Sequence, residues 1–350
     1  MEGGPMMMRN FQVSKPELGK TRAHFWPDNK PLQTLAFLQN IHALGSGSFG
    51  TVRLVKDVNT DKHLAMKILN RRDASKYVED EIVNHSLLRH PHIVHFREVF
   101  IHDDFLCIVM EYANGGSLFN LVRTQRRLKE SMARWFFQQL ILAVDYCHKR
   151  GVANRDIKLE NLLLHTEEGL PHPLLKMCDF GYSKADFRSA AKSQVGTVSY
   201  MAPEVMKSCG RLYDAKVADV WSCGVVLYVM LYGVYPFDNQ GEEQGLSEAE
   251  KVRRMLKRME TESYVLSPGV QVTEECIDML RGLLKPAPEQ RFTIEKIMEQ
   301  PWFNKKLPPQ AREMNVYYLN LPVPPEYQQP DQIKKLLEEA RAVGGRGCVF

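Results

Sequence analysis

The sequence contains no Cys-x-x-Cys pair, and its seven cysteines are odd in number and irregular in spacing. That favours reduced, intracellular thiols over a disulfide framework. Long hydrophobic runs are missing too. The longest, Val225 to Tyr235, is too short to span a bilayer and contains Gly233; it reads as a buried core helix, and no membrane insertion is expected. No apolar stretch follows a basic region near the N-terminus, which argues against a secretory leader. Cys348 stands third from the end, one place off the prenylation pattern. Charge of one sign is scarce. The formal net charge is +4, too mild to argue for nucleic acid. The basic cluster from Lys251 to Arg258 reads as the solvated face of a helix.

What is present is an ordinary globular composition, 44% hydrophobic and 25% charged over 350 residues, a length that suits two cores better than one. The chemistry centres on Val152 to Leu163, Val-Ala-Asn-Arg-Asp-Ile-Lys-Leu-Glu-Asn-Leu-Leu, a polar turn between apolar flanks. Asp156 offers a carboxylate to hold a substrate hydroxyl. Lys158 offers a cation to screen a transferring phosphoryl group, and Asn161 a carbonyl oxygen for a metal. Positioning and charge neutralisation are what phosphoryl transfer requires.

Upstream, Phe37 to Leu69 reads as three strands, with Asn59-Thr60-Asp61 as a turn. Between the first two lies Gly45-Ser46-Gly47-Ser48-Phe49-Gly50-Thr51-Val52. Its glycines let the backbone approach phosphates with N–H groups available as donors. A lone Gly-x-Gly-x-x-Gly also occurs in dinucleotide folds, but here the next segment is a strand ending in Ala65-Met66-Lys67, and no acidic ribose-binding residue closes a βαβ unit. Lys67 needs a carboxylate to hold it over phosphates. The helix expected over Tyr77 to Leu88 supplies Glu79 and Glu81; Glu81 is favoured, and Glu79 fits an exposed helix acid. His90, His92 and His95 lie on a proline-broken stretch without nearby Cys or acidic ligands, and read as a structural loop rather than a metal site.

Phe105 to Met110 reads as a buried strand, and Glu111 to Gly116 as a hinge. Helical spacing dominates beyond it, as in Glu130 to His148, so a small β-rich half precedes a larger helical one. Leu174 to Met177 leads to Asp179-Phe180-Gly181, where a carboxylate could chelate a phosphate-bound metal opposite Asn161. Asp219, at the start of an apolar helix, reads as a cap or, more sharply, as an anchor for the backbone of the Asp156 turn. Arg291 is expected to pair with Glu204. Residues 1–38 read as a flexible extension with Phe25 and Trp26 as candidate anchors, and residues 304–330 as an extended, proline-rich linker. A short helix over 331–343 follows, with Ile333, Leu336, Leu337, Ala340 and Val343 on one face and a stop at Gly344-Gly345; residues 344–350 form a tail. Such a helix is marginal alone, so its apolar stripe needs a partner surface.

From about Phe37 to Phe303 these motifs, in this order, resemble the eukaryotic protein kinases, and Lys158 after Asp156 with Gly196-Thr197 before Ala202-Pro203-Glu204 resembles their serine/threonine branch. Glu111-Tyr112-Ala113, Cys178 to Lys184, Lys192 to Thr197 and Val217 to Val225 are similar to the plant sucrose-non-fermenting-related kinases, subfamily two, which act in osmotic, abscisic-acid and nutrient-stress signalling.

The resemblance implies an α+β, bilobal protein-kinase fold over residues 39–303, with an N-lobe at 39–111, a C-lobe at 115–303, and a C-terminal helix docked beside the helix that carries Glu81. It implies ATP and Mg2+ as cofactors, protein substrates with Ser or Thr targets, an upstream activating kinase, a phosphatase, and a cytoplasmic or nuclear setting. Asp156 would be the catalytic base and Lys158 the phosphoryl-stabilising cation. Lys67 with Glu81 would hold the α- and β-phosphates, and Asn161 with Asp179 the Mg2+. Leu44, Val52, Ala65 and Leu163 would sandwich adenine beneath the Gly45 to Thr51 loop, Met110 would guard the pocket, and the backbone of Glu111 and Ala113 would read the adenine edge. Ser193 would be the activation-loop phosphosite, since Gln194 replaces a usual Thr. Asn154 stands where the family has His, beneath Phe180, where an amide is expected to loosen the active alignment without abolishing activity. Ser117 replaces a Glu that helps hold the ribose and a basic substrate residue, which weakens that preference while Glu160 remains. A nucleotide-binding pseudokinase or scaffold is the alternative reading.

Overall fold

Short, largely apolar runs, broken by Asn-Thr-Asp and Asp-Asp turns, make a five-stranded antiparallel sheet in the computed structural model. The structure describes residues 38–47, 50–73, 75–180, 198–208, 212–238, 245–267, 269–324 and 327–344. Residues 1–37, Ser48, Phe49, Gly181, Ser193 and the tail after Gly344 lie outside them, so the expectations placed on those positions do too. The described chain divides into two compact units.

Of the described residues, the first unit comprises those through Leu87, then His95–Tyr112, then those from Val323 to Gly344. Its sheet runs β1 (Leu38–Gly47), β2 (Gly50–Asp57), β3 (His63–Asn70), β5 (Phe105–Glu111), β4 (Phe96–His102) in spatial order. Val55, Met66, Cys107 and Val109 are buried in its core, with Phe100 and Phe105 packed against them. Gly50 joins β1 to β2 at φ 147°, and a Cβ there would meet the Ile68 carbonyl oxygen at 2.0 Å, so only glycine fits this close crossing. Helix α1 (Lys76–Leu87) lies against β4 and against the C-terminal helix.

That C-terminal helix, Pro330–Gly344, is wholly part of the first unit. Ile333, Leu337 and Ala340, one per turn on one face, are each at most 1% exposed, while Leu336 is half-buried. Arg71 donates from Nε to the Ala340 carbonyl (3.1 Å) and from Nη2 to the Glu339 carbonyl (2.7 Å), satisfying carbonyls of the last turns. Arg341 pairs with Glu79 of α1 at 2.5 Å. Glu79 is therefore not an exposed helix acid: it is 3% exposed, because Arg341 and Lys76 (2.6 Å) compensate its charge. Just before the helix, Gln328 accepts from Val99 N (2.9 Å) and donates to Val99 O (3.0 Å), covering part of the β4 edge.

The second unit, Leu88–Val94 with Ala113–Pro322, is mostly helical. In chain order it holds α2 (Leu118–Gln125), α3 (Glu130–Lys149), the hairpin β6 (Leu162–His165) and β7 (Leu174–Met177), α4 (Pro203–Lys207), α5 (Ala215–Tyr232), α6 (Glu248–Glu260), α7 (Glu274–Leu283), α8 (Ile294–Glu299), α9 (Pro301–Asn304) and α10 (Ala311–Asn320); the C-terminal helix of the first unit is α11. Helices α3 and α5 pack together at the centre. By length and composition α5 resembles a membrane span, but 72% of it is buried inside the protein, as expected of a core helix. Asp214, not Asp219, caps it, accepting from Lys216 N at 2.9 Å. Gly233 ends it at φ 73°, where a Cβ would meet the Arg126 carbonyl oxygen at 2.0 Å. The basic cluster on α6 is laced to acids one turn away, as in Lys251–Glu248 (2.7 Å) and Arg253–Glu250 (2.9 Å).

Residues 304–330 are not uniformly extended. Helix α10 occupies Ala311–Asn320, with Pro308 and Pro309 before it and Pro322 after it. Its Asn315 is 2% exposed and fully engaged: Nδ2 donates to Leu142 O (2.9 Å) and Asp145 Oδ2 (2.7 Å), and Oδ1 meets His90 Nε2 (2.9 Å).

Candidate active site

The polar turn ahead of β6 is built on helix α5. Asp219, 1% exposed, accepts from Arg155 N at Oδ1 (2.7 Å) and from Asn154 N (2.8 Å) and His148 Nε2 (2.9 Å) at Oδ2. A carboxylate rooted in a buried helix thus fixes two successive backbone N–H groups of the turn. Asn154 continues the network: its Oδ1 accepts from Asp156 N (3.1 Å) and its Nδ2 donates to Asp179 O (3.0 Å).

Asp156 emerges from this scaffold with its carboxylate bonded by Lys158 Nζ (2.8 and 3.0 Å) and Asn161 Nδ2 (2.8 Å). Asn161 Nδ2 also donates to Asp156 O (3.0 Å), so its amide hydrogens are committed to Asp156. Burial raises the Asp156 pKa above the usual aspartate range, against the opposing pull of Lys158 and Asn161, and the nearby charge of Asp179 adds to the rise. Glu160 is raised as well, chiefly by burial. The Tyr200 hydroxyl supports Glu160, accepts from Leu159 N at 3.4 Å, and reaches Tyr235 Oη at 3.5 Å.

Asp156, Lys158, Asn161 and Asp179 are therefore gathered within the second unit, which also carries Ala113 and Leu163. The first unit carries Leu44, Gly45, Ser46 and Gly47 on β1, Gly50, Thr51 and Val52 on β2, Ala65 and Lys67 on β3, Glu81 on α1, and Met110 and Glu111 on β5. Lys67 and Glu81 are both buried there, at 9% and 5% exposure. Glu111 Oε2 accepts from His95 N at 3.1 Å.

A strand–glycine loop–strand–Lys sheet beside a helix, and a helical body presenting an Asp-Lys-Asn turn, coincide with the match of residues 38–303 to the protein kinase domain family. The chain belongs to the protein kinases. It is 43% identical over 307 residues to an abscisic acid-inducible protein kinase of Triticum aestivum, covering 86% of this chain and 88% of that protein. It is 44% identical over 309 residues to the serine/threonine-protein kinase SAPK2 of Oryza sativa subsp. indica, covering 87% of each. It is 42% identical over 301 residues to the serine/threonine-protein kinase SRK2G of Arabidopsis thaliana, covering 85% of this chain and 82% of that one. These are sucrose-non-fermenting-related kinases of subfamily two, and the chain is a serine/threonine-protein kinase that uses ATP, a divalent metal and protein substrates.

Several neighbours of the kinase site carry structure rather than chemistry. Arg291, its side chain fully buried, forks onto Glu204 (2.7 and 2.9 Å), donates to Val217 O (3.0 Å) and lies over the Trp221 ring. Ser117 caps α2, accepting from Asn120 N at 3.2 Å, a use that a glutamate would serve poorly. His90 and His92 are structural: burial holds them neutral, at about 3 and about 4 against the ordinary 6.5, with His92 Nδ1 on Leu175 O (3.1 Å) and His90 stacked on Tyr146. Sequence reasoning missed His148, Tyr200 and Asn315. His148 stands one helical turn before the catalytic turn and pairs across to α5; no spacing motif announces the other two.

Proposed function

We propose that the kinase phosphorylates Ser or Thr side chains with Asp156 as the base that orients the target hydroxyl and receives its proton. The observation that carries this is the Asp156 carboxylate, half-buried, raised in pKa, and held between Lys158 and Asn161. Lys158, bonded to Asp156 and half-buried beside it, is the cation that neutralises charge as the phosphoryl group moves. Lys67, with Glu81, holds the nucleotide phosphates. Leu44, Val52, Ala65 and Met110 of the first unit and Leu163 of the second are the residues proposed to contact adenine.

Mg2+ is the metal proposed. Asn161 and Asp179 offer an amide oxygen and a carboxylate, hard donors that suit it, and among the described residues no three His, Cys, Asp or Glu side chains are grouped to hold an ion. The remaining ligands would then be phosphate and water oxygens. When bound, Mg–ATP supplies the phosphoryl group and much of the charge neutralisation.

Purified protein incubated with labelled ATP, Mg2+ and a basic serine peptide, beside an Asp156→Ala control, tests this reading. Transfer that is lost in the control supports it; equal transfer by both proteins sinks the base assignment. No transfer, with nucleotide-dependent thermal stabilisation, would favour the scaffold reading.

The setting proposed is stress or nutrient signalling in cytoplasm or nucleus. It is supported by the abscisic acid-inducible relative and by the free thiols at Cys107, Cys147, Cys178, Cys223 and Cys276. An upstream kinase and an opposing phosphatase would act on Ser193. A phosphate there, with a charge of about −1.5 to −2, would pair with Arg155, whose side chain is exposed next to the base. Such a charge-assisted bond is worth about 1.5–3 kcal/mol, enough to shift a two-state loop about tenfold to a hundredfold. A Ser193→Ala protein as active as fully phosphorylated wild type would rule the switch out.

A further inference from the structure

We propose that Asn154 is a positioning residue of the phosphotransfer centre, its carboxamide bonding the backbone of both Asp156 and Asp179 and so fixing the two acids relative to each other. The inference rests on the roles given above to those aspartates. An amide in this position was expected to loosen the alignment; its contacts argue the reverse.

Asn154 is 1% exposed and makes three hydrogen bonds in three directions. Its N–H donates to Asp219 Oδ2 (2.8 Å), which roots it in α5. Its Oδ1 accepts from Asp156 N (3.1 Å) within the catalytic turn. Its Nδ2 donates to Asp179 O (3.0 Å), on the segment that follows β7. One planar group thereby spans the two chain segments that carry the base and the metal-binding carboxylate.

The backbone at both ends of this bridge is strained. Arg155, between Asn154 and Asp156, has φ 66°, and Asp179 has φ 55°. Side-chain-bearing residues hold this left-handed conformation only where neighbours restrain them. The Oδ1 bond closes the turn around Arg155, and the Nδ2 bond holds the carbonyl of Asp179 itself. Both restraints come from the same carboxamide.

Asparagine suits the place for a chemical reason. The site needs one acceptor and one donor at fixed separation, buried beside the carboxylates of Asp156, Asp179 and Asp219. A carboxamide supplies both and adds no charge among the three acids. Leucine, of similar volume, would remove the bonds that the carboxamide makes to the Asp156 N–H and the Asp179 carbonyl, and the turn would relax toward less strained φ values.

The test uses the 350-residue chain and four variants. Asn154→Leu fills the space without hydrogen bonds and Asn154→Ala vacates it. Asn154→His restores the residue the family has, with a donor for the Asp179 carbonyl. Asp156→Ala is the control for the reading on which the proposal rests. The leucine and alanine variants should lower kcat about tenfold to a hundredfold and leave KM for ATP within about threefold, because the lost bonds set the register of the acids and not the nucleotide site. In the nucleotide-free protein, amide hydrogen exchange at Asp156 should speed up. The histidine variant should recover kcat to within about threefold of wild type, which a role in packing alone does not foresee. Melting curves establish which variants are folded. A folded leucine or alanine variant with kcat within about twofold of wild type overturns the proposal, as does unchanged exchange at Asp156 or a folded histidine variant no better than leucine. If Asp156→Ala retains transfer, the fault lies in the role given to Asp156; if it is dead while the Asn154 variants match wild type, the fault lies in the role given to Asn154.

Discussion

Replacing Asp219 by asparagine keeps the shape of the side chain and removes what it does. The carboxylate accepts three hydrogen bonds on two oxygens, from Arg155 N on one and from Asn154 N and His148 Nε2 on the other. An amide has one acceptor oxygen: in the less costly orientation it serves Asn154 N and His148 Nε2 while the NH2 group faces and orphans Arg155 N, and the reverse orientation orphans the other two. Losing that charge-assisted bond costs about 1.5–3 kcal/mol, and weakening the other two from charged to neutral acceptors about 1 kcal/mol each. The expected destabilisation of Asp219→Asn is therefore about 3–5 kcal/mol, a large share of the ~5–15 kcal/mol that holds a domain folded. Because the same bonds fix the turn before Asp156, kcat should fall about tenfold to a hundredfold even where the protein is fully folded. Urea denaturation gives the first quantity and steady-state peptide phosphorylation the second. Asp214→Asn is the control: Asp214 caps the same helix, and asparagine caps about as well. A stability within about 0.5 kcal/mol of wild type and an unchanged kcat for Asp219→Asn would refute the argument.

Acidification should destabilise the protein through His90 and His92. Their folded pKa values, about 3 and about 4, lie below the ordinary 6.5, so the unfolded chain takes up protons that the folded one refuses, and stability present above pH 6.5 is lost as pH falls toward 4. The loss is about 1.4 kcal/mol per pH unit per histidine, or about 3 kcal/mol by pH 5.5. Asp156 and Glu160, raised, act in the opposite sense, so the measurement is the difference in urea midpoint between wild type and a His90→Asn, His92→Asn protein; parallel profiles would contradict it. Ending the chain before Pro330 should lower melting temperature and activity together, since it uncovers α1 and strips Glu79 of Arg341; if neither changes, the apolar stripe serves a partner instead. Glu204→Gln should cost about 3–5 kcal/mol by leaving the fully buried Arg291 without a counter-charge, which chemical denaturation will measure.

The residues with the least freedom were the easiest to read. Asp156, Lys158, Asn161 and Asp179 stand at offsets set by the chemistry, and the sheet around Lys67 follows from strand composition and the glycine loop. Glu79 was misread because its partner, Arg341, lies at the far end of the chain and no local pattern brings them together. Helix α10 was missed because its flanking segment is proline-rich, yet the prolines stand outside the helix, where they bound it rather than break it. Asp219 was ambiguous for a simpler reason: a carboxylate early in a helix suits capping and anchoring equally until Asp214 is seen holding the helix N–H groups.

The first unit closes a loop in time as well as in space. Arg71 and its acceptor Ala340 are 269 residues apart, and everything of the second unit is translated between them. At ordinary elongation rates a nascent chain waits roughly 10–50 s after making Arg71 before Ala340 exists. The Asp156 turn is synthesised within that interval, while α1 still has no Ile333, Leu337 or Arg341 to rest on. A ribosome that stalls or terminates early releases a chain with its catalytic residues present and its α1 face bare. The ordering of α1 thus waits on synthesis of the helix that covers it.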